Sequence, residues 1–471
     1  MADKKNAVIK AGLWYTVSNF LTRGAIFLTT PIFTRIMSKA DIGAYANLNS
    51  WYQVLLPIVT LELSASLGLA RFDYKDELDQ YTSSTLVIGT GITAVFYMIV
   101  MLNMEFFENL FTLDAYAIHI MFIYMMVYPA MQMFQSRSMF EYKYKTSTAI
   151  SISSMLLAVA VALTLTLCSQ QNKLMGRIVG YFVPLILFCV ALYIYIVKKG
   201  RKVSFKYMKY ALALSTPMIW HTLSIQLLGT GDRIIITNQL GKEANALYTV
   251  AFTTGYIANM LWNAMNNAWS PWSAERMNTN ETEEMKKASH GYILLYAVVI
   301  LGLLLVSPEI LLLMGGKKYA EAIYVLPPVI VGCMCQFLYS LYVNAEFYLK
   351  KQTRIALSTL VAAGLNIGLN IWLVPKFGYV AAAYTTLFGY LCLMLFHFSS
   401  LMLLKKGYWY DNKFNFAVLF FFLLMVPASN YLYGHTILRY VIIGILAVAA
   451  MGAMIKYRAV IIDFLKKRVF S

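Results

Sequence analysis

Thr34-Arg-Ile-Met-Ser-Lys39-Ala-Asp-Ile-Gly-Ala-Tyr45 ends an apolar segment of this chain, and about 203 residues later a second segment ends Thr237-Asn-Gln-Leu-Gly-Lys242-Glu-Ala-Asn-Ala-Leu-Tyr248. Glu141 and Ser153 are matched by Glu346 and Ser358 at an offset of about 205, and Lys198-Lys199-Gly200 by Lys405-Lys406-Gly407 at about 207. Three matches at a nearly constant offset imply two copies of one membrane half. The expected organisation is a first lobe over 1–203, a second over 204–407, two extra spans in 408–456 and a basic amphipathic tail over 457–471. Duplicated helical halves are a common build of secondary transporters, with the substrate site between them. A carrier is therefore the first expectation.

Composition agrees. Of the 471 residues 60% are hydrophobic and 13% charged, with a mean hydropathy of +0.62. A soluble domain carries roughly 25% charged residues, so the chain reads as an all-α integral membrane protein. Its apolar runs have the length of about 20 residues that a helix needs to cross the hydrocarbon. About fourteen are expected, near 11–34, 44–69, 82–103, 116–136, 147–168, 176–197, 211–237, 245–269, 291–313, 322–348, 355–375, 379–404, 415–433 and 437–455. They make two pseudo-symmetric six-helix lobes plus two C-terminal helices. No junction is long enough for a soluble catalytic domain. The first run follows Lys4, Lys5 and Lys10 without a small-residue cleavage site behind it, so a retained span is expected rather than a signal peptide.

The formal charge of +17 is unevenly placed. Even-numbered junctions carry Arg71 and Lys75, Arg137, Lys143 and Lys145, the lysines of 198–209, Lys286 and Lys287, Lys350, Lys351 and Arg354, and Lys405, Lys406 and Lys413. Odd-numbered junctions have scattered bases, and 104–115 has only the acids Glu105, Glu108 and Asp114. This follows the positive-inside rule and puts both termini in the cytoplasm. The charge sets topology and leans on anionic lipid, not nucleic acid. The five cysteines lie in or at the ends of apolar runs. Cys333 and Cys335, two apart on a helix, point to nearly opposite faces and make no metal pair.

Polar side chains inside spans usually face another helix or a wet cavity. In span 8, Asn259, Asn263, Asn266/Asn267 and Ser270 recur at helical spacing, and in span 2 Asn49, Gln53, Thr60 and Ser64 do the same. Spans 1 (Thr16, Asn19, Arg23) and 7 (His221, Ser224, Asp232) add two further stripes. Spans 1, 2, 7 and 8 are thus the expected cavity walls, with Arg23, Asn19, Gln53, Asn259, Asn263, Asn267 and Arg233 as candidate substrate contacts. An arginine at a helix centre costs about 2.5–3.5 kcal/mol to insert, so Arg23 needs compensation. An anionic group such as phosphate would supply it through the guanidinium fork. So would an ion pair with Glu62 or Asp232, or snorkelling. Asp232-Arg233 is read either as mutual neutralisation or as a cation site beside a substrate arginine. Glu62, Asp232, Glu346 and His221 are the candidates for a coupling ion or ion pair, with H⁺ or Na⁺ as the ion. No cofactor, metal centre or catalytic residue is expected. Gly229-Thr-Gly-Asp232 lacks the Gly-Lys-Ser/Thr of a phosphate loop and reads as a kink or close-packing site.

Arg35-Ile-Met-Ser-Lys-Ala-Asp-Ile-Gly43 resembles a turn of the bacterial polysaccharide flippases, the O-antigen and exopolysaccharide exporters of the multidrug/oligosaccharidyl-lipid/polysaccharide (MOP) superfamily. Asp232-Arg233 with Leu240-Gly241 and Tyr248, Met314-Gly-Gly-Lys-Lys-Tyr319 with Leu326-Pro327, and Gly68-Leu-Ala-Arg71-Phe72 are similar to further motifs of that family, in order, over spans 1 to 12. The resemblance implies a V-shaped pair of lobes around a cavity that opens to each side in turn. It implies an undecaprenyl-pyrophosphate-linked oligosaccharide as cargo, moved from the cytoplasmic to the periplasmic leaflet of the bacterial inner membrane. Membrane lipids and a polysaccharide polymerase are the expected partners. Spans 13 and 14 depart from the simplest twelve-helix pattern; in related lipid II flippases an extra pair forms a groove for the lipid tail. Two alternatives stand beside this reading. A cation-coupled multidrug antiporter of the same superfamily would show a cavity dominated by acids. An enzyme or other membrane component of glycan polymerisation would need a large external loop or a His/Asp cluster at one interface.

Overall fold

A computed structural model describes residue 24 and residues 27–456 apart from 142; Thr16, Asn19, Arg23 and the basic tail lie outside the described residues. The stretch around Lys39 shows how the chain turns. The first helix, α1 (27–36), stops at Met37. Ser38 then caps α2 (Lys39–Val59): its Oγ accepts the Asp41 amide at 3.1 Å while the Asp41 carboxylate accepts the Ser38 amide at 3.3 Å. This reciprocal box satisfies amides that a helix start leaves without partners. In the second copy Gly241 stands in place of Ser38 and reaches the turn with φ +89°, which glycine adopts without steric penalty.

The chain continues as α3 (Leu67–Asp73), α4 (Leu78–Leu102), α5 (Met104–Phe111), α6 (Ala115–Phe140), α7 (Tyr144–Cys168) and α8 (Lys173–Gly200). The second copy gives α9 (Met208–Leu240), α10 (Lys242–Gly255), α11 (Ile257–Thr279), α12 (Thr282–Gly315), α13 (Leu326–Tyr348), α14 (Gln352–Phe377) and α15 (Val380–Leu403). The extra pair is α16 (Asn412–Gly434) and α17 (Thr436–Lys456). Among the described residues there is no strand. Among the described residues nine helices are long and apolar enough to cross a membrane, ten if α2 and α3, bent by 54°, count as one span. The helix α9 and the pair α10–α11 lie on the expected spans 7 and 8, but their polar residues keep them below that hydropathy. Span 10 (α13) is the most enclosed: 83% of its apolar window is buried, against 22% for lipid-facing α7.

Both second spans are broken, at non-equivalent places. Between α2 and α3, Leu61 and Glu62 take left-handed φ values of 52° and 48° just after Pro57. Between α10 and α11 the break is at Tyr256. The structure also shifts one repeat match. The turn bond from the Lys351 amide to the Glu346 carbonyl (2.9 Å) has its counterpart in Lys143 to Ser138 (2.8 Å). Glu346 therefore corresponds to Ser138, and Glu141 lies one turn later, at the end of α6.

In the first half, α4, α6, α7 and α8 pack on one another; in the second, α13 packs on α15 and α16, and α14 on α15. Between them α2 meets α9 and α10. The extra pair docks on the second half. The Tyr342 hydroxyl donates to Asn412 Oδ1 at 3.0 Å, and Arg439, 3% exposed, grips Glu309 of α12 with both terminal nitrogens.

Candidate functional site

The halves touch most intimately where the quoted stretches meet. A Cβ on Gly43 would stand 1.7 Å from the Lys242 carbonyl oxygen, so the α2 and α10 backbones are in direct contact. Asn245 Nδ2 donates to the Gly43 carbonyl at 3.0 Å. Around this point Thr34 Oγ1 donates to the Met314 carbonyl (2.6 Å), Arg35 to Leu313 (3.0 Å), Lys318 Nζ to Met37 (2.8 Å) and Thr112 Oγ1 to Asn238 Oδ1 (2.7 Å). Lys39 pairs with Glu321 at 2.7 Å. All these groups lie in odd-numbered junctions or at the span ends that border them. The halves are thus sealed together at the lysine-poor end.

At the lysine-rich end they are joined through α9. Tyr207 and Tyr210 pack edge-on against Tyr74 and Tyr81 of the first half, Lys206 pairs with Glu77 at 2.7 Å, and the Tyr210 hydroxyl donates to Asp73 at 2.5 Å. The far part of α9 packs instead on α14 and α10 of the second half. One helix therefore spans from one half to the other.

The polar stripe on α11 divides. Asn259 is 2% exposed and donates to Gln336 of α13 at 2.6 Å. Asn263 bonds to Asn259 Oδ1 at 2.8 Å, Trp262 to Ser340 at 3.1 Å, and Asn344 donates to Asn266 at 2.8 Å. Asn259 is thus corrected from a cavity contact to a helix-to-helix contact, because α13 presents its own stripe, Gln336, Ser340 and Asn344, at matching spacing. Asn267, one position round the helix, is exposed. Gln53 is half-buried and bonds back to the Asn49 carbonyl at 3.3 Å.

Asp232 and Arg233 are both buried inside the second half rather than at a cavity wall. The Asp232 carboxylate accepts the Tyr248 hydroxyl and, at 2.8 Å, the Arg233 amide. The Arg233 guanidinium is 3.6 Å from it, bonds to the Gly229 carbonyl at 2.9 Å and lies 4.5 Å over the Phe252 ring. Beside this cluster, Asn366, Asn370 and Thr385 form a chain of buried side-chain bonds at 3.2 and 2.5 Å. Burial this complete requires a charge to be paired, and the neighbouring arginine provides the pair. The helix runs unbroken through Gly229 and Gly231.

Glu346 and His397 form a second buried pair, Oε2 to Nδ1 at 2.7 Å, both almost inaccessible. Glu346 Oε1 has no partner among the described residues. Glu62 is half-buried in the α2–α3 break, and His221 is half-buried on α9 with Nδ1 unpartnered. The structure does not bring Glu62, Asp232, Glu346 and His221 into one cluster, and among the described residues no group of acids, histidines and cysteines could hold a metal ion.

Sequence reasoning passed over Arg177. Its guanidinium is sandwiched 4.1 Å from the Phe33 ring and 3.7 Å from the Tyr45 ring, beside the seal. Lys173, one turn earlier, donates to the Ile36 carbonyl at 2.7 Å. Arg177 sits at a span start, where a base usually signals topology, so its position alone gave no hint.

Comparisons with known proteins fit this architecture. A family model described as polysaccharide biosynthesis protein matches residues 8–277. An uncharacterized membrane protein of Methanocaldococcus jannaschii is 23% identical over 461 residues, covering 90% of this chain and 89% of that protein. Among solved structures, the lipid II flippase MurJ in an inward closed conformation superposes with a TM-score of 0.64 at 15% identity, over 95% of this chain and 100% of that one. A multidrug resistance MATE transporter of the MOP superfamily gives 0.59 in its inward-facing conformation (12% identity, 81% and 99% covered). An outward-facing MATE transporter gives 0.51 (13%, 84% and 96%).

Proposed function

The chain belongs to the polysaccharide biosynthesis protein family and has the fold of the MOP-superfamily transporters, and from that premise we propose that it flips undecaprenyl-pyrophosphate-linked oligosaccharide repeat units by alternating access. The observation that supports the mechanism is the direct backbone contact between the halves at the lysine-poor end, at Gly43 and Lys242, whereas at the other end they meet only through side chains at the start of α9. With the lysine-rich end in the cytoplasm, the mouth closed by the backbone contact is the periplasmic one. The superpositions on the inward closed MurJ and the inward-facing MATE structures, both better than that on the outward-facing MATE transporter, support a closed periplasmic side.

The cargo presents two chemistries, a dianionic pyrophosphate and a hydroxyl-rich glycan. Arg23, with Asn19 four positions earlier in the sequence, is the proposed pyrophosphate contact, since a guanidinium fork matches two phosphate oxygens. Asn267 and Gln53 are the proposed sugar contacts. Release follows when the Thr34, Arg35, Lys39 and Lys318 contacts to the other half part and the mouth opens to the periplasm. The protein supplies conformational work and no covalent chemistry. Coupling to H⁺ or Na⁺ is part of the proposal, with the two buried carboxylates Asp232 and Glu346 as the groups it acts on. The protein sits in the bacterial inner membrane with both termini cytoplasmic, and a polysaccharide polymerase uses what it delivers.

Depletion followed by extraction of lipid-linked glycans tests this reading. The expected result is a complete repeat unit on undecaprenyl pyrophosphate, shielded from an impermeant periplasmic probe. Single units accumulating already exposed to the periplasm would favour a polymerisation role, and no change in any lipid-linked glycan would favour a multidrug antiporter.

A further inference from the structure

Lysines at the ends of membrane helices usually spread over the interface, and many here hold a carboxylate: Lys143 pairs with Glu141, Lys199 with Asp79 and Lys206 with Glu77. Three others converge. Lys286 and Lys287 from the start of α12 and Lys413 from the start of α16, more than a hundred residues apart in sequence, line one cavity of about 760 Å³ at the lysine-rich end. That volume is within the range of small-molecule sites, about 300–1,000 Å³. His290, Tyr408, Tyr410 and Asn412 add polar groups to the lining.

The two carboxylates of the cavity are already occupied. Asp411 caps α16 by accepting the Phe414 amide at 3.2 Å and faces His290 Nε2 at 3.2 Å. The Phe414 amide and then the His290 imidazole hold its carboxyl below the usual range. Glu283 takes Lys286 at 2.9 Å. Lys287 and Lys413 have no carboxylate partner among the described residues and are exposed. The cavity thus keeps a positive surplus, and it opens at the amino-terminal ends of α12 and α16, whose dipoles add to it.

We propose that this cavity is a phosphate site filled by the headgroup of an anionic phospholipid from the inner leaflet. The chemistry it shares with free phosphate is a monoanionic or dianionic oxygen cluster held by lysines. A lipid is favoured by what borders it. Met402 lines the cavity and is exposed, and exposed Leu294 and Leu295 of α12 and Phe420 of α16, further along the same helices, offer apolar surface along which acyl chains can lie. Basic pockets between membrane helices on the cytoplasmic side are the sites where such headgroups bind. The lipid would bridge the second half and the extra helix pair, and this holds whatever cargo the protein carries.

The test uses the full chain in phosphatidylcholine nanodiscs containing phosphatidylglycerol, with retained phosphatidylglycerol counted by native mass spectrometry. Lys286→Gln/Lys287→Gln/Lys413→Gln is compared with Lys198→Gln/Lys202→Gln/Lys209→Gln, which removes three lysines elsewhere on the same face. A second variant, Lys287→Glu/Lys413→Glu, changes two exposed residues only and keeps the Lys286–Glu283 pair, so a folding defect of the first variant does not decide the outcome. Phosphatidylglycerol retention falls about tenfold or more in both cavity variants and stays at the wild-type level in the control. A parallel arm titrates inorganic phosphate into nanodiscs of phosphatidylcholine alone. Binding of inorganic phosphate that the cavity variants lose, with lipid retention unchanged, would overturn the lipid assignment in favour of a free ion. Lipid retention and phosphate binding both unaltered in the cavity variants would overturn the site itself.

Discussion

Gly43→Ala should unseal the lysine-poor end. The added Cβ would stand 1.7 Å from the Lys242 carbonyl oxygen and 2.6 Å from its carbon, where ordinary contact begins near 3.4 Å. The obstacle is backbone, so no side chain can rotate away, and α2 and α10 must separate. Inserting a methyl group into a packed contact costs about 1–3 kcal/mol. Since about 1.4 kcal/mol is tenfold in an equilibrium, the sealed state loses roughly fivefold to a hundredfold relative to the open one. Spin labels at Glu105 and Lys376, exposed positions at that end on different halves, read the change by double electron–electron resonance in a cysteine-free background. The expected outcome is a longer and broader distance distribution in the variant. Gly68→Ala, where a Cβ meets nothing within 4 Å, should leave it unchanged. An unaltered distribution in Gly43→Ala would refute the reasoning.

Three further outcomes are expected. Tyr248→Phe removes the hydroxyl that donates to buried Asp232; a hydrogen bond to a charged group contributes about 1.5–3 kcal/mol, so thermal unfolding in detergent should drop measurably, and an unchanged midpoint would show that Asp232 does not depend on it. The Asp411 carboxyl is held low by the Phe414 amide and by His290; a depressed folded-state value means its cap contribution is fully present above the unfolded value of about 3.9 and is lost as pH falls below it. Hydrogen exchange in the first turn of α16 should therefore quicken in acid, and in Asp411→Ala it should be fast at every pH, the lost cap amounting to about 1 kcal/mol. Arg23→Ala should abolish transport at a normal membrane level while Arg23→Lys retains part of it; full transport by the alanine variant in a flipping assay would remove the pyrophosphate grip.

The all-helical membrane fold was legible in the sequence because the lipid imposes it: a run of apolar residues of bilayer length has few ways to satisfy its backbone except as helix. The breaks were less legible. Pro57 stands just before one, but Leu61 and Glu62 carry no sequence mark of a left-handed backbone, and Tyr256 gives no sign that α10 ends beside it. The α11 stripe was visible as a polar face, yet periodicity does not say what a face meets. Gln336, Ser340 and Asn344 on α13 took most of it, leaving Asn267 for the solvent side. Asp232 and Arg233, adjacent in sequence, left both a paired and a substrate-facing reading open; the geometry brings them together inside one half. Gly43 stood inside the family-like turn from the start, but its reason, a carbonyl of the other half pressed against its α-carbon, exists only in three dimensions.

The central claim is that this chain moves a lipid-linked oligosaccharide between leaflets. Its most direct test is reconstitution of the purified protein into liposomes carrying an undecaprenyl-pyrophosphate-linked oligosaccharide in both leaflets, with an impermeant glycosidase added outside. The inner-leaflet pool is expected to become cleavable when the protein is present, and Gly43→Ala and Arg23→Ala to slow or abolish this. An inner pool that stays protected over the full course of the assay, in vesicles where the protein is folded and correctly inserted, would contradict it.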